Sequence, residues 1–304
     1  MRAAVAGAST LAPVVGLIGL GLVGRAIAKR LIAAGMSVVG FDLQEEARAA
    51  LQRAGGEAAG SAREIGARAE CIVLAVFSTA DVIEVIDGPD GLLAASHRVR
   101  TILDCSTGDP EALQALAARL RQRSVDFIEG PLSGSSQQIA GGEATQLLGG
   151  EAQAIEACAS VLQAIATRRI HVGPAGMAAR AKLATNLVLG LNRAALAEGM
   201  AFAETLGIAP GKFLELVLAT PARSAAAEVK GLLMVEGNFD PQSRIRQHLK
   251  DVDLMLESGA RTGQPLPLSQ AHATLMRDAI EAGDGDLDNA AIILQLRRAR
   301  RPKL

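Results

Sequence analysis

Aromatic residues are scarce in this sequence, which limits the ligands it can hold by stacking. Its 304 residues include six phenylalanines and neither tryptophan nor tyrosine. Proteins that hold single-stranded nucleic acid commonly stack its bases on aromatic side chains. Basic and acidic residues also nearly cancel, at 31 against 32, so no net charge attracts nucleic acid or an anionic membrane. We therefore expect neither a nucleic-acid partner nor a membrane partner.

Cysteine, histidine and long apolar runs are equally sparse. Cys71, Cys105 and Cys158 are odd in number and scattered, which favours reduced thiols of a cytoplasmic protein over a disulfide framework. The four histidines form no i,i+4 pair and have no cysteine neighbours, so no metal site is predicted. Uninterrupted apolar runs fall short of the ~18 residues of a membrane span. Residues 1–13 are too weakly apolar for a signal peptide and are interpreted as a loose leader.

Two local patterns divide the rest of the chain. Up to residue 174, short β-rich runs alternate with helical stretches, which is typical of parallel strands joined by right-handed crossovers. Beyond it the strand signal stops, and residues 175–206 form a helical pattern without proline. We predict a Rossmann-type doubly wound α/β domain at 14–174, followed by an all-helical domain at 175–304. The predicted strands are 14–19, 37–42, 71–76, 101–104, 125–128 and 145–148.

A glycine-rich segment directly follows the first predicted strand and opens a helix. That context is the one a dinucleotide-binding GxGxxG turn requires. The first glycine permits the tight bend, the second lets the pyrophosphate approach the backbone, and the third lets helix and strand pack closely. The helix N-terminus then offers unpaired N–H groups to the pyrophosphate. The predicted cofactor contacts are Gly19, Leu20, Gly21, Leu22, Val23 and Gly24.

An acidic residue stands where the ribose of a bound dinucleotide is expected. Asp42 ends the second predicted strand, about 20 residues beyond the glycine motif. Its carboxylate would accept hydrogen bonds from the ribose and repel a 2′-phosphate. No arginine follows immediately, so NAD is favoured over NADP as the cofactor.

Four further segments, in order, resemble the 3-hydroxyisobutyrate dehydrogenase family of β-hydroxyacid dehydrogenases. They are DCSTGDP at 104–110, EGPLSGS at 129–135, the G-x5-K-x3-N pattern at 176–186, and FDP at 239–241 with HLKD at 248–251. The resemblance runs from residue 14 to about 293. It implies reversible NAD-dependent oxidation of a small hydroxy acid, such as 3-hydroxyisobutyrate or a sugar acid, in a homodimer or homotetramer. The long apolar helical pattern is consistent with packing against a second subunit.

The resemblance also implies the catalytic pair. Lys182 and Asn186 are spaced i,i+4 and project from one face of the long predicted helix. A lysine can take a proton from an alcohol while hydride leaves for the nicotinamide, and burial would bring its pKa towards neutrality. We expect Lys182 to be the general acid and base, and Asn186 to hydrogen-bond the lysine or the substrate.

Other matched positions are expected to contact cofactor and substrate. The resemblance implies that Ser133, Gly134 and Ser135 bind the substrate carboxylate, just after a strand where α/β ligands bind. It further implies cofactor contacts at Val76, Phe77, Thr107 and Lys250. Around the expected pocket, Ser135, Ser243 and Arg246 depart from the family's residues. The substrate within the class therefore stays open.

Three alternative functions remain at this point. A 6-phosphogluconate-type oxidative decarboxylase would share the fold, but Leu183 stands where those enzymes carry histidine, and the chain is short for them. The related imine reductases usually lack the lysine. A non-catalytic NAD-binding regulator would have no use for Lys182 and Asn186 together.

Overall fold

The structure, a computed structural model, describes residues 13–300. Nearly all of the predicted leader and residues 301–304 lie outside that range. The described residues form one mixed sheet flanked by helices, followed by a bundle of helices. The strands are β1 (Val14–Ile18), β2 (Ser37–Phe41), β3 (Glu57–Ala58), β4 (Cys71–Leu74), β5 (Thr101–Asp104), β6 (Asp126–Glu129), β7 (Leu132–Ser133), β8 (Thr145–Gly149) and β9 (Arg168–Gly173).

Helices alternate with these strands in the first part of the chain and replace them in the second. The first group is α1 (Leu22–Ala33), α2 (Glu45–Arg53), α3 (Ala62–Arg68), α4 (Thr79–Asp87), α5 (Pro110–Gln122), α6 (Ser136–Gly141), α7 (Ala152–Ala157) and α8 (Ala159–Ile165). The second group is α9 (Met177–Thr205), α10 (Pro210–Ala219), α11 (Ala225–Glu236), α12 (Ile245–Thr262), α13 (Pro267–Glu281) and α14 (Ile292–Arg298). The helical pattern predicted at 175–206 is therefore one helix, α9. No helix in the part of the chain that the structure describes is long and apolar enough to cross a membrane.

The sheet has the strand order of a dinucleotide-binding fold. Six neighbouring strands run in the order β3-β2-β1-β4-β5-β6, and every pair among them is parallel. From β1 the chain adds β2 and then β3 on one side of that strand, and it then crosses over to place β4 on the opposite side of β1. This reversal leaves a crevice at the carboxyl ends of β1 and β4, where ligands of such sheets bind. The predicted doubly wound fold is confirmed.

Beyond β6 the sheet departs from the predicted parallel arrangement. Strand β8 is antiparallel to β6 and β7, and it pairs in parallel with β9 at the edge. The sequence prediction missed β9 because none of its six residues is buried and three are exposed, among them Ile170 at 48%. A strand at a solvent-facing edge lacks the alternation of buried and exposed residues from which strands are recognised.

Helix α9 joins the two parts of the molecule. At its N-terminal end it packs against β8, β9 and α5, and further along against α10 to α14. Separate apolar cores fill the two faces of the sheet, with Leu17 and Leu31 on one and Ile72 and Ile102 on the other. A third core lies inside the helical bundle, around residues such as Met200. The crevice of the sheet consequently opens towards α9 and the bundle.

Candidate active site

A cavity of about 280 Å³, here called the cleft, lies between the carboxyl edge of the sheet and helices α9, α11 and α12. On the sheet side it is lined by the start of α1, the loops after β4 and β5, strand β7 and helix α6. On the helical side it is lined by side chains of α9, α11 and α12. The predicted site residues that line it are Leu22, Val23, Val76, Thr107, Ser133, Gly134, Ser135, Lys182, Asn186 and Lys250.

The glycine motif has the shape that a pyrophosphate requires. Gly19 has φ +88, and a Cβ there would lie 2.3 Å from the carbonyl oxygen of Ala75. A Cβ on Gly24 would lie 1.8 Å from the carbonyl oxygen of Gly19. Gly21 instead faces open space, and no side chain caps the N-terminus of α1. The free N–H groups of that first turn are thus open to an anion, so the residues present fit a dinucleotide.

Asp42 lies beside this turn, as the prediction requires. Its carboxylate accepts hydrogen bonds from the backbone N–H of Leu20 at 2.6 Å and of Gln44 at 2.9 Å. Sequence reasoning missed Arg48 of α2, which donates to the carbonyl oxygen of Asp42 at 2.6 Å and lies 5.9 Å from the centre of the Phe41 ring. A cation therefore stands near the expected ribose, although none follows Asp42 directly in the sequence.

Lys182 is buried against the cleft, with 7% of its surface exposed. Its amino group donates a hydrogen bond of 2.7 Å to the carbonyl oxygen of Leu132, the first residue of β7. Burial lowers the pKa of Lys182 to about 8; Asp251 opposes this shift and Lys250 adds to it. A buried lysine with a pKa near neutrality can both accept and donate a proton under physiological conditions.

Asn186 lies one turn beyond Lys182 on α9 and links α9 to α12. Its amide donates to the carboxylate of Asp251 at 3.1 Å, and both residues are buried. Lys250 contacts the other oxygen of Asp251 at 3.0 Å. Asp251 was quoted in the sequence motif HLKD but given no role there. The structure places it between the two lysines and the asparagine.

Lys250 ties the helical bundle to the sheet. Its amino group donates to the carbonyl oxygens of Thr107 at 2.6 Å and Phe77 at 2.9 Å, and lies 5.5 Å from the centre of the Phe77 ring. Thr107 and Val76 line the cleft, whereas Phe77 does not and is 47% exposed. These residues follow β4 and β5, beside the glycine motif, where the nicotinamide end of a dinucleotide would lie.

The Ser133–Ser135 loop forms the wall of the cleft beyond Lys182. Ser135 is the N-cap of α6: its hydroxyl accepts a hydrogen bond from the N–H of Gln138, whose side chain accepts one from the N–H of Ser135. This reciprocal capping box engages the N–H of Ser135 within the protein. Ser133 and Gly134 line the same cavity. Gly134 has φ +156, a conformation that favours glycine.

Comparisons with known proteins agree with this geometry. The model for the NAD-binding domain of 6-phosphogluconate dehydrogenase matches residues 14–173, and the NAD-binding model of NADP-dependent 3-hydroxyisobutyrate dehydrogenase matches 176–296. The chain belongs to the β-hydroxyacid dehydrogenase family. The predictions of this family, of an oxidoreductase and of NAD as cofactor are thereby confirmed.

Individual members of the β-hydroxyacid dehydrogenase family match nearly the whole chain. An L-threonate dehydrogenase from Cupriavidus necator is 30% identical over 92% of this chain and 94% of its own length. A 2-(hydroxymethyl)glutarate dehydrogenase from Eubacterium barkeri is 29% identical over 92% and 93%. A crystal structure of 3-hydroxyisobutyrate dehydrogenase from Salmonella typhimurium superposes with a TM-score of 0.84, at 29% identity over 93% and 99%.

Within this family fold, Glu129 has a structural role that the sequence motif did not reveal. Its buried carboxylate accepts hydrogen bonds from the N–H groups of Gly176 at 2.6 Å and Ala179 at 3.2 Å, at the start of α9. Burial raises its pKa to about 7, although both hydrogen bonds favour the charged form. Glu129 thereby fixes the helix that carries Lys182 to the end of β6.

Two buried polar residues deeper in the cleft were also missed. Arg193 of α9 and His248 of α12 are 4% and 6% exposed and line the cavity. Burial holds the pKa of His248 well below its usual range, and nearby Arg193 lowers it further, so its ring is neutral. Residues 182, 186 and 193 recur on one face of a helix, and this periodicity was the available signal for Arg193.

Proposed function

We propose that this chain reversibly oxidises the hydroxyl group of a small hydroxy acid to an aldehyde or ketone, with Lys182 as general base and general acid. The observation that carries the proposal is the amino group of Lys182, buried in the cleft with its pKa lowered to about 8. Its hydrogen bond to Leu132 orients the nitrogen while leaving it free to contact the substrate. The relatives' names, L-threonate and 2-(hydroxymethyl)glutarate dehydrogenase, are those of enzymes for hydroxy acids.

The residues of the chain supply binding and proton transfer. The glycine motif and Asp42 would hold NAD, which would supply the acceptor for the hydride of the substrate. Neutral Lys182 takes the hydroxyl proton during oxidation, and protonated Lys182 returns it during reduction. Asn186, held by Asp251, orients the substrate oxygen beside Lys182. We assign the substrate carboxylate to Ser133, Gly134 and the hydroxyl of Ser135, because the backbone N–H of Ser135 is already engaged whereas its hydroxyl only accepts a hydrogen bond.

Val76, Phe77, Thr107 and Lys250 complete the cofactor side of this proposal. Two hydrogen bonds from Lys250 hold the loops after β4 and β5 against α12. This connection keeps the nicotinamide end of the cleft at a set distance from Lys182. Holding reacting groups in a fixed orientation contributes a large part of the rate enhancement at such sites.

We further propose a cytoplasmic homodimer or homotetramer, with the domains meeting at residues 174 and 175. Strand β9 ends at Gly173 and α9 begins at Met177. Large apolar side chains lie exposed on the second part of the chain, which supports burial against another subunit. They are Val188, Phe202, Leu206, Leu216 and Leu232. Light scattering on the purified protein tests this; a monodisperse monomer at micromolar concentration would contradict it.

The function is tested with the purified protein, NAD or NADP, and a panel of 2- and 3-hydroxy acids. Appearance of the reduced cofactor is followed by absorbance for the wild type, for Lys182→Ala, and for Lys212→Ala as a control. Lys212 is an exposed lysine of α10, paired with Glu215. We expect turnover of at least one acid, lost only in Lys182→Ala. Cofactor binding without turnover of any acid, or full activity of Lys182→Ala, would contradict the proposal.

A further inference from the structure

The cleft continues past Lys182 and Asn186 to a second polar region, here called the distal recess. It is lined by Arg193, Lys230, Gln242, Ser243 and Asn289. Arg193 lies eleven residues beyond Lys182 on α9, which separates their Cα atoms by about 16 Å along the axis. Both residues line the same cleft, and the charges of both act on His248.

Arg193 is a buried cation without a bound partner. Its Nε and Nη2 atoms are inaccessible to solvent and make no hydrogen bond within the described residues. Buried charged groups are normally paired and hydrogen-bonded, since leaving them unpaired is costly. Burial lowers the pKa of Arg193 to about 10, so the guanidinium stays charged at neutral pH. An unsatisfied arginine lining a ligand cavity points to a ligand group that satisfies it.

The nearby carboxylates are already engaged elsewhere. Both carboxylate oxygens of Asp288 accept hydrogen bonds from the amino group of Lys230, at 2.8 and 2.9 Å. The same carboxylate also accepts hydrogen bonds from the N–H groups of Gln242 and Ser243. Asp251 is held by Asn186 and Lys250. Lys230 is neutralised by Asp288, so Arg193 is left as the uncompensated cation of the distal recess. One unit of positive charge matches one carboxylate, which carries a single negative charge.

We infer that the distal recess binds a second carboxylate of the substrate, so that the preferred substrate is a hydroxy dicarboxylic acid. Arg193 would pair with this carboxylate by a charge-assisted hydrogen bond from the part of its guanidinium that lines the cleft. A phosphate carries about −1.5 to −2 at neutral pH and would leave excess negative charge beside Asp288. The identity of the reacting end rests on the proposed function; the anion site itself rests on Arg193.

Ligand binding tests the inference without requiring turnover. Calorimetric titrations of the NADH-loaded protein compare glutarate with pentanoate, which has the same number of carbons and one carboxylate. We expect glutarate to bind at least 10-fold more tightly to the wild type. Arg193→Met should lose about 30-fold in glutarate affinity, the size of a charge-assisted interaction, with pentanoate unchanged. Arg193→Lys keeps the charge and should lose less.

A matched control is Arg180→Met; Arg180 is a partly exposed residue of the same helix and pairs with Glu111. It should bind both ligands like the wild type. Melting temperatures check folding: removal of an unpaired buried charge should leave Arg193→Met as stable as the wild type or more so. Equal binding of glutarate and pentanoate by the wild type overturns the inference. Tighter binding of glycerol phosphate than of glutarate overturns the assignment to a carboxylate.

Turnover then separates the two proposals. We expect kcat/KM for 2- or 3-hydroxyglutarate to exceed that of the corresponding hydroxypentanoate, and Arg193→Met to remove this preference. If hydroxypentanoate is oxidised as well as hydroxyglutarate, the inference fails and the proposed function stands. If glutarate binds through Arg193 but no hydroxy acid is oxidised, the proposed function fails and the anion site stands.

Discussion

The rate of hydroxy-acid oxidation should depend on the ionisation of Lys182. Burial lowers the pKa of Lys182 from its ordinary value of 10.5 to about 8. At pH 7.5 this makes about a quarter of the amino groups neutral, against about one in a thousand for an unperturbed lysine. The structure therefore increases the competent form of the base about 200-fold. The same shift corresponds to about 3 kcal/mol of difference between the protonation states.

The pH profile of kcat/KM should show this ionisation in both directions. For oxidation, kcat/KM should rise with pH and level off above about pH 8, because neutral Lys182 is the base. For reduction, it should fall above about pH 8, because the protonated form is the acid. Asp251→Asn removes a charge that raises the pKa of Lys182, so the rising limb should move to lower pH.

The assay measures initial rates between pH 5.5 and 10 for the wild type, Lys182→Met and the exposed control Lys212→Met. Lys182→Met should lose about 1,000-fold in rate together with the limb near pH 8, since general acid–base groups contribute 10²–10⁴-fold. Lys212→Met should retain both. Two results would refute the role of Lys182 as general base and acid. One is a wild-type kcat/KM that levels off only near pH 10, and the other is a change of kcat/KM near pH 8 that persists in Lys182→Met.

Four other substitutions test the surroundings of the site. The pKa of Glu129 is raised to about 7, so its protonated form is favoured in the folded state. The contribution of Glu129 to the free energy of unfolding is therefore fully present below about pH 4.5 and is lost as the pH rises through 7. Denaturant unfolding should therefore show on the order of 3 kcal/mol less stability at pH 8.5 than at pH 5 from this group, and Glu129→Gln should flatten that slope; an unchanged slope would count against the raised pKa. Asp42→Ala should reduce the preference for NAD over NADP about 10-fold or more, measured as the ratio of kcat/KM values, and an unchanged ratio would exclude Asp42 as the selecting residue. Gly21→Val, into open space, should keep the melting temperature but weaken NAD binding at least 10-fold, whereas Gly24→Ala should lower the melting temperature because its Cβ meets the carbonyl oxygen of Gly19. If Gly21→Val binds NAD normally, the pyrophosphate does not approach Gly21.

Features encoded by neighbouring residues were predictable from the sequence alone. The alternation of short apolar runs and amphipathic stretches predicted the α/β sheet, because strand and helix periodicities are local. The glycine motif predicted the turn after β1 for the same reason, since the need for Gly24 arises from its contact with the carbonyl oxygen of Gly19, five residues earlier. The i,i+4 spacing likewise predicted that Lys182 and Asn186 share a face of α9.

The tertiary structure alone decided what surrounds those residues. The proton affinity of Lys182 depends on its burial and on Asp251 and Lys250, which lie almost 70 residues away in the chain. The unpartnered state of Arg193 follows from Asp288 being held by Lys230 on another helix. Desolvation and charge pairing depend on distances through space, which no local pattern records. The sequence therefore determined the fold and the class of cofactor. Long-range packing decided the electrostatics of the cleft, namely the lowered pKa of Lys182 and the unpaired charge of Arg193.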